Sequence, residues 1–377
     1  MNSKSRVKTL SGTPARHGFT FPAEWERHAS TWFSWPRPEG ISFPEKYHTI
    51  PANLAAIIRE IAPREIVNIN VPNENYRRIV TGQLIDGGLP RAAFARRRVR
   101  FHFIPTNEAW CRDHGPAFVV RRTRAGKRER AIVDWGFNAW GGKYPPFDAD
   151  DAVPTRVADV LGSSVRGVFY PRHKRAGGAA GDVVMEGGSV DFNGRGTVLT
   201  TDACLLNKNR NPGLSRREIE RFLKDYYGQS HVVWLGEGIV GDDTDGHIDD
   251  ISRFIDPRTI VTVIEDDPRD ENYGLLKDNL RRLELARDQD GRSFRIIPIP
   301  MPGIVEHDGQ RLPASYANFY FVNGAVLVPT YRNRRNDERA LDVLREAIPR
   351  RRIIGIDCYE LIWGLGSIHC LTQQEPA

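Results

Sequence analysis

The stretch SRREIERFLKDYYGQSHVVWLG (215–236) decides how the chain is read. Its first part has the spacing of an amphipathic helix, and the closing HVVWLG is an apolar run with the character of a buried strand. Ser215 and Glu218 stand at the S-x-x-E spacing of a capping box, in which two side chains satisfy free amides of the first helical turn. The same order, helix and then strand within a few residues, recurs elsewhere. It appears in ANLAAIIREIAP with REIVNINVP (52–72) and in DAVPTRVADVLG with SVRGVFYP (151–171). It returns in ENYGLLKDNLRRLELARDQDG with FRIIPIP (271–300) and in DERALDVLREAIP with RRIIGID (337–357).

From the second cassette onward the helices start near 151, 215, 271 and 337, a period of about sixty residues. The first unit is longer because it also carries a helical pattern at 74–86. Between cassettes lie pairs of short strands, such as AFVVRR with RERAIVDW. A second pair, ANFYFV and AVLVP, is joined by Asn323-Gly324, a strong two-residue hairpin signal. Each unit is therefore a strand pair, a helix and a further strand. Five such units predict a ring with a shared axis. No linker, low-complexity tract or composition break divides the chain, so residues 1–377 are expected to form one α/β domain.

Composition narrows the function. With 40% hydrophobic residues in 377, the chain can bury a large core. The net charge of +6 is a small excess of 54 basic over 48 acidic residues. Arg96-Arg97-Arg98, RTRAGKRER (122–130) and RNRR (332–335) are basic clusters without interleaved aromatics or a nucleic-acid-binding motif. They read as solvated surface, and no nucleic-acid partner is expected. Cys111, Cys204, Cys358 and Cys370 show no C-x-x-C spacing, which favours a reducing compartment over a disulfide framework or a thiolate zinc site. MNSKSRVKTLSGTPARHG at the start lacks the apolar core of a signal peptide. No run of 18 apolar residues exists, and a soluble, cytoplasmic protein without a membrane partner is expected. Homo-oligomerisation is left open.

A polar segment follows each cassette: NEAWCRDHGP (107–116), MEGGSVDF (185–192), GDDTDGHIDD (241–250), ASYANFYFVNG (314–324) and GLGSIHC (364–370). A ring would gather these segments into one composite site. The third holds five aspartates, and an EF-hand calcium loop is the natural rival. With Gly246 as the loop glycine, the positions that need carboxylates fall on Gly241 and Ser252, so the rival fails. His247 and Asp249, two apart on a strand, would face the same way. Taken alone, His247 is as readily a surface residue in an acidic loop. In the first segment a turn at Gly115-Pro116 would expose Asp113, with Trp110 as a wall. Glu186 precedes two glycines and, if buried, needs a partner, for which His247 is a candidate.

Cys370 has a histidine beside it in sequence. Read as a short strand, S-I-H-C-L-T turns His369 to the opposite face, so a base for the thiol must come from elsewhere. A thiol, an imidazole and several carboxylates from separate repeats suit a planar cation rich in N–H donors. Guanidinium matches that fork geometry, with a thiolate attacking its central carbon.

These segments resemble the agmatine deiminase and bacterial peptidylarginine deiminase family. FPAEWERHASTWFSWP, WCRDHGP, MEGGS, TTDACLLNKNRNPGLS, DDTDGHIDD, SYANFYFVNGAVLVP and SIHCLTQQ carry the likeness over nearly the whole chain. The resemblance implies the pentein fold, a five-fold pseudosymmetric α/β propeller of ββαβ units around a central site. It implies hydrolytic deimination of a small guanidine without metal or organic cofactor. Agmatine, giving N-carbamoylputrescine and ammonia, is the first expectation, with peptidyl-arginine or another guanidine as alternatives. An amidinotransferase or a catalytically silent pentein is a more distant reading. By position, Cys370 matches the nucleophile and His247 the general acid/base. Asp113 and Asp249 match the carboxylates that grip the guanidinium, Glu186 the residue that orients the histidine, and Trp110 a pocket wall. Asp243 or Asp245 would bind a distal ammonium. Two departures bear on the substrate's tail: Gly364-Leu365-Gly366-Ser367 where the family carries Gly-Gly-Gly-Asn, and TYRNRRND (330–337) in place of an acidic, proline-containing turn.

Overall fold

The computed structural model describes residues 7–174 and 180–377; residues 1–6, which begin the stretch read for a signal peptide, lie outside the described residues. The helical patterns fold as helices at Ile50–Ile61, Val153–Leu161, Arg216–Tyr227, Glu271–Leu285 and Arg334–Ala347. An additional helix spans Glu74–Asp86, where the first unit was read as longer. Arg216–Tyr227 shows why such a segment holds. Ser215 and Glu218 close the capping box, Gly228 ends the helix at φ 69°, and Ile219, Phe222, Leu223, Tyr226 and Tyr227 are buried. Each large apolar side chain so buried contributes about 1.5–3 kcal/mol of transfer free energy.

Five sheets share one plan, in which an antiparallel pair is joined through a helix to a strand parallel to its second member. Ala117–Arg122 and Arg128–Val133 take Val168–Phe169 as their third strand. Asp191–Phe192 and Thr197–Thr201 take His231–Leu235. Ser252–Asp256 and Thr259–Ile264 take Arg295–Pro300. Tyr320–Val322 and Ala325–Thr330, which turn at Asn323-Gly324 with Gly324 at φ 81°, take Arg352–Asp357.

The remaining sheet joins the two ends of the chain. Gln373–Pro376 runs antiparallel to His28–Ser34, Ile66–Val71 lies parallel on the other side, and Val99–Phe103 forms the edge. The strand near the C-terminus therefore begins after Cys370. Ile368–Leu371, read from sequence as a strand, is a short helical turn. Asn318 Oδ1 accepts the His369 and Cys370 N–H groups at 3.0 and 3.4 Å, and the Thr372 hydroxyl donates to the Ile368 and His369 carbonyls. These side chains provide the hydrogen bonds a strand would have taken from a ladder. His247-x-Asp249 is likewise not on a strand, because Ile248–Asp250 form a tight 3₁₀ turn. Asp242 Oδ2 accepts the His247 N–H at 3.1 Å and pins the entry to that turn.

A buried ionic cluster ties these elements together. Glu24 Oε2 accepts from Arg253 Nη2 and His369 Nε2, each at 2.7 Å, while Glu24 Oε1 accepts the Phe321 N–H at 2.8 Å. Arg253 also donates to Asp191 Oδ1 at 3.1 Å and to the Phe319 carbonyl at 2.8 Å.

Candidate active site

Gly188 marks the centre of the site. A Cβ placed there would lie 2.6 Å from His247 Nδ1, 2.9 Å from Asp113 Oδ1 and 3.2 Å from Asp249 Oδ1. Only a residue without a side chain lets these three groups converge. Asp113, on the turn Cys111–His114, is fixed by two donors: the Gly188 N–H to Oδ1 at 3.0 Å and Trp140 Nε1 to Oδ2 at 2.9 Å. His247 Nδ1 stands 3.7 Å from Asp113 Oδ1. Asp249 is fully buried, with Oδ2 taken by His369 Nδ1 at 2.6 Å and Oδ1 unpartnered.

Cys370 completes the group. Its Sγ lies 3.7 Å from Asp249 Oδ2 and accepts from Asn318 Nδ2 at 3.0 Å. A cavity of about 620 Å³ opens onto Cys370 and Asp113, walled by Trp110, Trp140, Tyr144 and Trp363. Trp110 is held by its indole N–H to Ser42 Oγ at 2.8 Å, and its ring packs where side chains at Gly364 or Gly366 would stand.

The electrostatics follow from burial and crowded carboxylates. Burial, with Asp249, Asp250 and Asp113 close by, pushes the Cys370 thiol well above the ordinary range. Burial also raises Asp113, to about 6, against the nearby His247. For His247, burial acts to lower the pKa, but Asp113, Cys204 and Glu186 outweigh it and hold the ring's pKa well above normal. Asp249 is shifted the other way: burial opposes its ionisation, and the His369 hydrogen bond overcomes that and lowers it. Asp250, buried against Asp249, is raised far above the usual carboxylate range.

The remaining sequence-derived candidates separate. Glu186 lies near His247, but its hydrogen-bond partner is Arg210 Nε, at 2.6 Å from Oε1, rather than the imidazole. Asp243 lines the cavity and accepts from Tyr144 Oη at 2.5 Å. Asp245 does not line that cavity. It is taken up by Lys143 Nζ at 2.8 Å, Asn209 Nδ2 at 2.9 Å and Arg210, and its exposed part faces a separate hollow.

Several residues had no role assigned from sequence: Asn318, Glu24, Arg253, Arg210, Trp140 and Asp250. Asn318 and Asp250 sit inside the polar segments, and Glu24 and Arg210 inside motifs of the resemblance. Asn318 and Glu24 carry a signal, a polar residue in a largely apolar or aromatic stretch, but the partners that give these residues their roles are remote in sequence.

A thiol, an imidazole and two carboxylates arranged in this way suit chemistry on a guanidine group, and comparison with known proteins narrows the class to the deiminases. The chain belongs to the Porphyromonas-type peptidyl-arginine deiminase family, whose model matches residues 20–376. It is 36% identical to an agmatine deiminase of Ectopseudomonas mendocina, covering 98% of this chain and 99% of the relative. An agmatine deiminase of Pseudomonas aeruginosa is 35% identical over 97% of this chain and 98% of its own. Among solved structures, the Enterococcus faecalis agmatine deiminase superposes with a TM-score of 0.85 at 31% identity, covering 98% of this chain and 99% of that one. A C. jejuni agmatine deiminase with substrate bound superposes at 0.80 with 29% identity, covering 95% and 96%.

Proposed function

We propose that this protein hydrolyses a guanidine to a ureido product and ammonia, with agmatine as the substrate and N-carbamoylputrescine as the product. The convergence of Asp113, Asp249 and His247 around Gly188, with the Cys370 thiol beside Asp249, carries this reading. Support from relatives lies in agmatine deiminases that this chain matches over nearly their full length.

The guanidinium enters between Asp113 and Asp249, whose oxygens accept its forked N–H groups. Asp249 Oδ1 has no other partner, and each Asp113 oxygen keeps acceptor capacity beyond its single fixed donor. The incoming cation offsets the negative field that holds the proton on Cys370, so the thiol gives that proton to solvent and the thiolate forms with substrate in place. Sulfur then bonds to the central carbon. The His247 imidazolium gives its proton to one amino nitrogen, the C–N bond breaks and ammonia leaves. The now neutral His247 takes a proton from water as its oxygen bonds to the carbon of the S-alkylthiouronium intermediate. The C–S bond breaks and the urea departs. One water is consumed and one ammonia released.

Arg210 offsets the charge of Glu186 and fixes it near His247, consistent with an orienting role. Asp243, facing the cavity, is the candidate for the distal ammonium, and Asp245 supports it only indirectly. We read residues 1–377 as one cytoplasmic domain whose five sheets close into a pentein propeller, a reading that the shared sheet plan and the pairing of the two chain ends support. A peptidyl-arginine substrate is the second reading, favoured by a cavity of about 620 Å³, which is roomy for agmatine.

Ammonia and ureido product should be measured from agmatine, free arginine and an arginine peptide, with wild type and Cys370→Ala. Agmatine turnover lost in Cys370→Ala is the expected result. Equal ammonia from both proteins would sink the mechanism, and preference for the peptide would replace only the substrate.

A further inference from the structure

Glu186, Cys204 and His247 each bring a ligand atom within 4.8 Å of the others, and all three side chains are buried. None of the three lines the cleft; they lie behind the wall that carries Asp113 and Cys370. Arg210 engages Oε1 of Glu186, whereas Glu186 Oε2 has no hydrogen-bond partner and His247 Nε2 makes no well-aligned hydrogen bond, with only the Cys204 thiol approaching the ring. Buried groups of this kind are costly to leave unsatisfied. Here two of them occur in the same cluster as a thiol.

A thiolate, an imidazole and a carboxylate form a donor set suited to zinc, with bonds of about 2.0–2.3 Å. Those lengths place donors roughly 3–4 Å apart, so modest side-chain shifts would close the cluster around an ion.

We propose that Glu186, Cys204 and His247 form an inhibitory site for a soft divalent cation of the zinc class, which withdraws His247 from proton transfer. Binding forms one bond each to sulfur, nitrogen and oxygen and releases the thiol proton, with any proton on the metal-binding ring nitrogen, to solvent. The ion is not a cofactor of the reaction. The inhibitory half of the proposal rests on the deiminase reading, and the binding half does not. A second cluster, Asp249, Asp250 and Cys370, is equally tight. There, however, Asn318 Nδ2 already points at Asp250 Oδ1, Cys370 Sγ and Asp249 Oδ2 from 2.9, 3.0 and 3.3 Å. A donor amide among the ligands disfavours a cation.

The experiment titrates Zn²⁺ against deiminase activity in wild type and Cys204→Ser, and Co²⁺ against Cys370→Ala by absorption. Cys204→Ser should raise the inhibitory Zn²⁺ concentration at least about 100-fold, since even outer-shell changes commonly cost 10–100-fold. Cys370→Ala should bind one equivalent of Co²⁺ with a thiolate charge-transfer band, which adding Cys204→Ser removes. Cys204→Ala replaces the serine variant if that one misfolds. Wild type unaffected by Zn²⁺, unchanged inhibition in Cys204→Ser, or a band surviving in the double variant would each overturn the proposal. Metal-free activity of wild type reports separately on the deiminase reading.

Discussion

Cys370 sits 7% exposed among Asp113, Asp249 and Asp250, an environment that favours the neutral thiol until a cation arrives. Alkylation of the substrate-free protein by iodoacetamide should therefore rise with pH without levelling near about 8.5, the ordinary cysteine value. Mass spectrometry of the Cys370 peptide provides the measurement, and a plateau at or below neutral pH would contradict the electrostatic account. At this scale the sequence singled out the Cys370 thiol, but the strand expected to turn His369 away from it is a helical turn. His369 holds Asp249 and Glu24 at 2.6 and 2.7 Å, a role set by partners more than a hundred residues away. Nothing local to the S-I-H-C motif encodes that.

Two tight turns, Cys111–His114 and Ile248–Asp250, and the glycines of the M-E-G-G-S segment place the reacting groups. Gly188→Ala would drive a methyl against His247 Nδ1 and Asp113 Oδ1. A displacement near 1 Å costs about 100-fold in rate, so kcat/KM should fall by about that factor with far-UV circular dichroism unchanged. Wild-type kinetics in this variant would mean that the three groups do not need to converge at Gly188. Helix and strand order was legible here because each cassette buries a periodic apolar face. The short turns around His247 and Cys370 were not, because their hydrogen bonds come from Asp242 and Asn318.

Across the whole molecule, burial leaves several carboxyls poorly ionised. Asp134 is raised to about 7 and Asp150 to about 8, chiefly by burial. In the unfolded chain both ionise near about 3.9. Between pH 6.5 and 8.5 the folded protein gives up protons that the unfolded chain has already lost, so their contribution to stability declines as pH rises. His247, with its pKa raised by folding, acts in the same direction. The loss should be about 2–3 kcal/mol, seen as a fall of several degrees in the thermal midpoint from pH 6.5 to 8.5. A midpoint that climbs over that range would reject it.

By itself the sequence determined the unit plan, because helical and strand periodicities are local properties that survive without tertiary contacts. It also located the chemistry, since a thiol, an imidazole and clustered aspartates stand out against polar loops. Tertiary structure alone decided which groups meet: Gly188 among three side chains, Arg210 rather than His247 on Glu186, and Asp245 turned away from the cleft. The convergence at Gly188 and the contacts of Asp245 with Lys143 and Asn209 join different units of the chain and depend on how the sheets pack, whereas Arg210 reaches Glu186 within one unit across 24 residues. Their hydrogen bonds and ion pairs form only when packing removes water, so no window of sequence carries them.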